Sequence, residues 1–272
     1  MGRVRWVKLP SNEIAEPLTG RSIEFYLFPL SWSELSGLYS MDERRRLLAR
    51  RLVYGMYPEV VRHEENAARN LKSLASSYAY KDVLEYQTIR HPEALEKLLQ
   101  ALALQIGNEV SYNELASLVG LNKITVANYI QILEKAFIIF RLRPLTRNAR
   151  NELKKLRKIY FYDTGVRNAL INNLNPLALR QDVGSLWENF VISERMKRHA
   201  NHLTNVHTYF WRSHDGQEVD YVEEAQGSIR GFEVKWGKKP LKAPAAFQKL
   251  YPHSAVTLIN QDTFEDFVKN LD

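Results

Sequence analysis

Two neighbouring stretches in the second half of the sequence combine carboxylates with an amine. Asp220 lies in a stretch that alternates like a β-strand, and Glu233 and Lys235 lie in the next such stretch. Because side chains alternate between the two faces of a strand, Glu233 and Lys235 are predicted to point to the same side. Glu218 and Asp220 share a side for the same reason. Carboxylates from adjacent strands can therefore converge with the lysine amine.

Such a cluster suits metal-assisted hydrolysis of phosphodiesters. Carboxylate oxygens hold Mg²⁺, the ion polarises the phosphoryl oxygen, and a neighbouring lysine orients the attacking water or helps to deprotonate it. A predicted helix can add Glu188 as a further acid. The spacing also fits a solvated surface, since Asp followed by Glu-x-Lys arises by chance in exposed strands. The pattern alone leaves both interpretations open.

The elements that must position these residues are a central sheet and flanking helices. The patterning predicts a long amphipathic helix over residues 185–200 and strands over residues 208–212, 218–222 and 229–236, with a turn near Gln226 and Gly227. Three tryptophans beside the candidate residues are predicted to anchor the core: Trp187, Trp211 and Trp236.

Two further signals are given structural roles. Asp163-Thr164-Gly165 spells the triplet of aspartic proteases, but Asp163 follows a predicted strand and precedes a helical run, so it is predicted to cap that helix. His199 and His202 have the spacing of one helix face without accompanying ligands. Both histidines are therefore predicted to face solvent.

A helix-turn-helix pattern precedes this region. Ser111 begins a capping box, which predicts a helix over residues 112–119. Gly120 supplies the left-handed stop, and Asn122 can cap a second helix over residues 123–135. Strands are predicted on both sides of the basic segment that follows, so the whole unit has the pattern of a winged helix.

The second helix of this unit has a polar outer face. Its outward residues Lys123, Asn128 and Gln131 would lie near base edges if the helix entered a major groove. Winged helices also serve only to pack against other domains. Nucleic-acid binding and scaffolding both remain open at this point.

Positive charge is concentrated between residues 141 and 158. The chain has a net charge of +7, and this segment contains eight bases and one acid, so it accounts for the whole excess. A concentrated positive patch attracts polyanions and binds phosphates by releasing counterions. A solvated basic loop is the alternative. The residues predicted to contact phosphates are Arg147, Arg150, Lys154 and Lys155.

The N-terminal part is predicted to be mostly helical. Residues 22–28 alternate like a half-buried strand, residues 31–38 indicate a short helix, and residues 42–104 indicate a bundle interrupted at 55–58 and 91–92. The 272 residues and 45% hydrophobic content suffice for about two domains of about 100 to 150 residues each.

Composition excludes several classes of site. The sequence has no cysteine, so disulfides, thiol catalysis and Cys-containing zinc sites are excluded, and a reducing compartment is consistent with it. The longest apolar run, residues 136–140, is too short to cross a bilayer. A cytoplasmic protein without membrane contact is expected.

Several strings resemble one protein family. GSLWENFV from Gly184, YFWRSHDGQEVDYV from Tyr209 and FEVK from Phe232 resemble the C-terminal DUF4143 domain of prokaryotic AAA-type ATPases, which is similar to PD-(D/E)XK nucleases. Upstream strings such as GMYPEVV from Gly55 and KKLRKIYFYDTGVRNAL from Lys154 extend the resemblance over most of the chain. The implied fold is α+β and multidomain.

The resemblance implies four parts. They are a remnant of an ATPase core (1–40), a lid-like helical bundle (41–105), a winged helix (106–165) and the α/β nuclease-like DUF4143 domain (166–272). It makes Glu188, Asp220 and Glu233 ligands of Mg²⁺ or Mn²⁺ and Lys235 the catalytic lysine. It also implies two supporting residues, Arg212 and Glu218.

The resembled ATPases need a phosphate-cradling G-x-x-x-x-G-K-[ST] loop, which this sequence lacks. No ATP is therefore expected for this chain alone. One hypothesis is a protein that binds nucleic acid, DNA more than RNA, and has a Mg²⁺-dependent nuclease-like domain. The alternative is a non-catalytic regulatory or interaction module left from a truncated ATPase, which binds a protein partner or itself.

Overall fold

The computed structural model describes residues 26–77, 91–146, 157–237, 240 and 243–270. Within them the chain is a mixed α/β protein in which helices pack against one seven-stranded sheet. No helix in these ranges is both long and apolar enough to cross a membrane. All four residues predicted to contact phosphates lie outside the described residues: Arg147, Arg150, Lys154 and Lys155.

The first part is helical, as the periodicity predicted. Its helices are α1 (Met41–Tyr54), α2 (Pro58–Arg62), α3 (Ala67–Ser77) and α4 (Pro92–Leu104). Helix α1 begins at a capping box formed by Ser40 and Glu43, and it ends at Gly55, which has a φ of 71°. The predicted interruption at residues 55–58 is confirmed.

The strand predicted over residues 22–28 is wrong where it can be judged. Residues 26–28 are irregular, and residues 22–25 lie outside the described ranges. The ring of Phe28 packs 5.3 Å from Phe137 and 4.8 Å from Tyr162, measured between ring centroids. Aromatic packing therefore takes the place of strand pairing there. The short helix predicted next is a 3₁₀ turn, Glu34–Gly37.

The middle part contains β1 (Glu109–Val110), α5 (Tyr112–Val119), α6 (Lys123–Lys135), β2 (Ile139–Pro144) and β3 (Arg157–Phe161). Both predicted helices are confirmed at their ends. The Ser111 hydroxyl accepts a hydrogen bond from the Glu114 amide, and Asn122 Oδ1 accepts one from the Thr125 amide at 2.8 Å. Gly120, with a φ of 70°, makes the turn between the helices.

The last part alternates helices and strands. It contains α7 (Thr164–Leu170), α8 (Val183–Asn201), β4 (His207–Arg212), β5 (Glu218–Ala225), β6 (Ser228–Val234), α9 (Ala245–Leu250), β7 (Ala255–Ile259) and α10 (Phe264–Lys269). The predicted turn at Gln226 and Gly227 is confirmed, and both residues have positive φ. Asp163 caps α7 as predicted, because its Oδ1 accepts from the Val166 amide at 2.9 Å.

One sheet runs through the middle and last parts, in the order β1-β3-β2-β4-β5-β6-β7. Two neighbouring pairs, β2–β4 and β6–β7, are parallel, and the other pairs are antiparallel. The β2–β4 pair is extended by a hydrogen bond of 2.7 Å from the Leu145 amide to the Phe210 carbonyl. The sheet therefore crosses the domain boundary predicted near residue 165.

The tryptophans beside the candidate site belong to the core, as predicted. Trp187 is fully buried and its ring centroid lies 5.3 Å from that of Trp236. Trp211 packs against Phe247 on the other side of the sheet at 5.2 Å. These rings fix α8 and α9 on the strands that bear the candidate acids.

Candidate acid–lysine site

Helix α8 places Glu188 against β3. The neighbouring side chain of Asn189 pairs with the backbone of Phe161, accepting from its amide at 2.8 Å and donating to its carbonyl at 2.9 Å. Tyr160 donates a hydrogen bond of 2.6 Å from its hydroxyl to Glu188 Oε1. Because Tyr160 and Phe161 of β3 both bind α8, the Glu188 carboxylate has a defined position.

Strand β5 contains an irregularity where Asp220 lies. Tyr209 of β4 pairs with Val222 and Trp211 pairs with Val219, so β5 has one more residue than β4 over this stretch. Val219 and Val222 consequently pack in the same apolar cluster although they are three residues apart. Bulges of this kind often re-aim a side chain near a functional site. The alternation of side chains along the strand could not predict this bulge.

Asp220, Glu233 and Lys235 come together as predicted. The Lys235 ammonium lies 2.8 Å from Glu233 Oε1 and 3.4 Å from Asp220 Oδ2. Asp220 is buried, and its Oδ2 also accepts a hydrogen bond of 2.8 Å from the Val234 amide. The strands β5 and β6 therefore bring two carboxylates to one amine.

Lys158 of β3 is the residue that the sequence analysis missed. Its side chain is only 3% exposed, and its ammonium forms ion pairs with Glu188 at 3.3 Å and with Glu218 at shorter range. The residues that follow it in β3, Ile159 to Phe161, are fully buried. A lysine within such an apolar strand indicates a buried acidic partner. That signal could have identified Lys158.

These six residues form what we call the acid–lysine cluster: Glu188, Glu218, Asp220, Glu233, Lys158 and Lys235. It contains four carboxylates and two ammonium groups, so two negative charges remain uncompensated when all six are ionised. An acid-rich balance in a partly buried site raises the free energy of the fully ionised state.

The pKa shifts reflect this balance. Burial raises the pKa of Glu188 to about 7, with Lys158 opposing the shift and Asp220 adding to it. Burial and then Asp220 raise the pKa of Glu233. Burial would lower the pKa of Lys158, but the surrounding carboxylates raise it above its ordinary value. Lys158 is therefore charged at neutral pH, whereas Glu188 is poised to exchange a proton.

The two supporting residues have different positions. Glu218 lies inside the cluster through its ion pair with Lys158. Arg212 instead reaches Glu109 of β1, with 3.4 Å between Nη1 and Oε2. Arg212 and Lys158 thus both connect the middle and last parts of the chain by ion pairs.

A divalent metal fits part of the cluster. Glu233 Oε2 is buried and has no hydrogen-bond partner among the residues that the structure describes, and Asp220 shares Lys235 with Glu233. Two carboxylates with a free oxygen suit Mg²⁺ or Mn²⁺. Glu188, in contrast, is engaged by Lys158 and Tyr160. In the described ranges no three acidic or histidine side chains are close enough to hold one ion, so the three-ligand set stays a prediction.

A second set of buried charges joins α8 to β5, and we call it the Glu223 network. Arg195 pairs with both carboxylate oxygens of Glu223, at 2.6 and 2.9 Å. His199 Nε2 lies 2.7 Å from Glu223 Oε1, and Arg230 lies at 3.5 Å. The prediction of a solvent-facing His199 is wrong, because the face of α8 that bears it is covered by β5. His202 is exposed, as predicted.

Helix α6 presents a polar face away from the core. Val126 and Ile130 are fully buried on its inner face. The predicted outward residues are exposed in the structure: Lys123, Asn128 and Gln131. Ile124 beside them is 74% exposed. The outer face is therefore available for contact with another molecule.

Two family models match the chain, and both describe domains of unknown function. DUF8612 matches residues 45–177, and DUF4143 matches residues 183–269. The DUF4143 match confirms that part of the predicted resemblance. It also contains every acid of the acid–lysine cluster, whereas Lys158 lies in the DUF8612 match.

Similar proteins occur in bacteria and archaea. An uncharacterized protein from Mycobacterium tuberculosis is 28% identical over 212 residues, which are 76% of this chain and 47% of that protein. An uncharacterized protein from Haemophilus influenzae is 24% identical, covering 81% of this chain and 55% of its own length. An uncharacterized protein from Methanocaldococcus jannaschii is 26% identical, and the match covers 79% of this chain and 50% of that protein. The chain thus spans about half the length of these relatives. No solved structure matches it.

Proposed function

We propose that this protein binds nucleic acid, DNA in preference to RNA, through α6 and the basic segment of residues 141–158. The observation that carries the proposal is the uncovered polar face of α6, opposite a fully buried face. Amide and basic side chains on one exposed helix face suit the donor and acceptor pattern of a DNA major groove. Lys123, Asn128 and Gln131 are the residues proposed to face the bases.

The order of elements supports this proposal. Helix α4 is followed by β1, α5, α6, β2 and β3, and β3 lies between β1 and β2. That order is typical of a winged helix, in which the second helix of the helix-turn-helix reads the groove. In a winged helix the connection between these two strands is the wing. In this sequence the segment between β2 and β3 contains the predicted phosphate contacts, and their charge would supply affinity that depends on salt.

The proposal is tested by fluorescence anisotropy with a labelled DNA duplex at several salt concentrations. We expect affinity to fall steeply with salt, and Lys123→Glu to reduce the salt slope by about one unit and the affinity about tenfold. Lys249→Glu, an equal charge change at an exposed position of α9, is the matched control. Equal weakening by both variants, or binding that ignores salt, would contradict the assignment of α6.

A second candidate function is metal-dependent cleavage of the bound strand at the acid–lysine cluster. Two observations favour it: the Lys235 ammonium touches both Asp220 and Glu233, and a buried oxygen of Glu233 has no hydrogen-bond partner within the described part of the chain. Asp220 and Glu233, with Glu188 as the predicted third ligand, would hold Mg²⁺ or Mn²⁺, which would polarise a phosphoryl oxygen. Lys235 would orient the attacking water.

Cleavage is tested on single-stranded, duplex and branched DNA and on RNA, with EDTA, Mg²⁺ or Mn²⁺. If the cluster is catalytic, nicking requires a metal, and Asp220→Asn and Lys235→Met each abolish it while anisotropy shows unchanged DNA binding. If the wild-type protein binds DNA but leaves every substrate intact, the cluster is not a nuclease centre. The last part of the chain would then be the non-catalytic regulatory or interaction module.

A further inference from the structure

We infer that the Lys158 ammonium is the resident cation of the acid–lysine cluster: it occupies the place among the carboxylates that a divalent metal would otherwise take. The wild-type cluster consequently binds Mg²⁺ and Mn²⁺ weakly, and removal of the lysine charge creates a tighter metal site. The inference goes beyond nucleic-acid binding and does not depend on it.

The position of Lys158 supports this inference. Its side chain is nearly inaccessible, and its ammonium pairs with carboxylates from two different elements, Glu188 of α8 and Glu218 of β5. Asp220 is close enough to act on it electrostatically. An ion bound by carboxylates of α8 and β5 would have to occupy the same space.

The backbone of Lys158 is fixed within the sheet. In the sheet it pairs with Glu109 of β1 on one side and Leu142 of β2 on the other. The strand is also tied to α8 through Tyr160 and Asn189. Because the backbone of Lys158 is held on both sides, its ammonium can leave the carboxylates only through a change of side-chain rotamer within a nearly inaccessible site. A metal therefore competes with a charge that the fold itself holds in place.

The charge balance of the cluster also supports the inference. With Lys158 present, two negative charges of the cluster remain uncompensated, and no described residue hydrogen-bonds Glu233 Oε2. Without Lys158, four carboxylates would share only Lys235. Unpaired buried carboxylates are strongly unfavourable, so they would take up either protons or a cation. At neutral pH and above, a divalent cation supplied in solution is expected to replace the missing ammonium.

The test compares wild type, Lys158→Met and a matched control, Lys197→Met. Lys197 is also a buried lysine, but it lies on α8, and among the described residues it forms an ion pair with a single carboxylate, Glu194, at 2.6 Å. Melting temperatures are measured at pH 8 with EDTA and with 1 mM MnCl₂, and Mn²⁺ binding is measured by titration calorimetry. Both substitutions are expected to lower the melting temperature in EDTA by about 5 to 15 °C.

The predicted result is specific to Lys158→Met. Mn²⁺ should restore at least half of its lost melting temperature and bind at least tenfold more tightly than to wild type, while Lys197→Met shows no recovery. Adding Asp220→Asn to Lys158→Met should remove the gain. If Lys158→Met does not fold, Lys158→Met with Glu188→Gln, which has one carboxylate fewer, should still bind Mn²⁺ more tightly than wild type. Equal Mn²⁺ affinity in wild type and variant, or micromolar binding by wild type, would overturn the inference.

Discussion

Helix α8 and strand β5 are joined by two sets of buried charges with opposite balances. In the Glu223 network, one carboxylate receives Arg195, His199 and the more distant Arg230. Burial would raise the pKa of Glu223, but hydrogen bonds from Arg195 and His199 outweigh it and lower the pKa to about 2. This set is rich in cations, and its carboxylate is fully paired.

The acid–lysine cluster shows the reverse balance. Lys158 lies among Glu188, Glu218 and Asp220, and burial raises the pKa of Glu188 to about 7. The same two elements thus keep the carboxylate of Glu223 ionised and hold the pKa of Glu188 close to neutral pH. A strongly paired buried charge is typical of structural support, whereas a perturbed acid beside a lysine is typical of functional sites. The comparison therefore separates a structural set of charges from a candidate functional one.

The largest predicted effect comes from breaking the Glu223 network. Arg195→Met should lower the free energy of unfolding by about 3 to 5 kcal/mol, because it leaves a buried carboxylate short of its main partner. Arg195 also donates a hydrogen bond of 2.6 Å to the Phe267 carbonyl, so the substitution removes a contact that holds α10. Urea denaturation measures the loss. A change below about 1 kcal/mol would show that the pairing is dispensable.

Lys158→Met should lower the free energy of unfolding by less, about 3 kcal/mol at pH 8 without metal. Its distinguishing feature is recovery in acid, because the carboxylates left behind can take up protons in place of the ammonium. Urea denaturation at pH 8 and pH 5 measures this recovery, with Arg195→Met as the comparison. A loss from Lys158→Met that is as large at pH 5 as at pH 8 would contradict the electrostatic account.

Much of the fold could be predicted from the sequence because its signals are local. Caps at Ser111 and Asn122, the stop at Gly120 and the turn at Gln226 each depend on a few neighbouring residues. The strands and the helix that bear the predicted acids were also recognisable from the spacing of their apolar residues. These features specify elements, and the elements were found close to their predicted bounds.

The rest depends on contacts between distant residues. The pairing of β2 with β4 that unites the sheet follows no local pattern. Lys158 was counted only as one base of the basic segment, although its acidic partners lie 30 residues or more further along the chain. His199 was placed in solvent because its partner Glu223 is on another element. Charge partners of buried residues are the information that periodicity lacks.

Glu188→Gln tests the acid-rich balance directly. Because the folded pKa of Glu188 lies near 7 and the ordinary value is 4.5, the folded protein keeps a proton that the unfolded chain has lost between these values. Glu188 therefore makes stability fall as pH rises through this window. From pH 5 to pH 8 the free energy of unfolding of the variant, relative to that of wild type, should therefore rise by on the order of 2 kcal/mol. A constant difference across that range would contradict the prediction.

Arg230→Ala should have the smallest effect of the four substitutions. Its guanidinium is about one third exposed and lies 3.5 Å from Glu223. Partly exposed pairs contribute about 0 to 1 kcal/mol, so a loss within that range is expected in urea denaturation. A loss comparable to that of Arg195→Met would mean that Glu223 depends on all its cations equally.

The most direct test is a pH titration of the carboxyl ¹³C resonances of protein labelled with ¹³C-glutamate. The account predicts one glutamate that titrates near pH 7 and disappears in Glu188→Gln, and another that stays ionised down to about pH 2 and disappears in Glu223→Gln. If both of these glutamates titrate near the ordinary pKa of 4.5, the contrast between the two sets of buried charges is wrong.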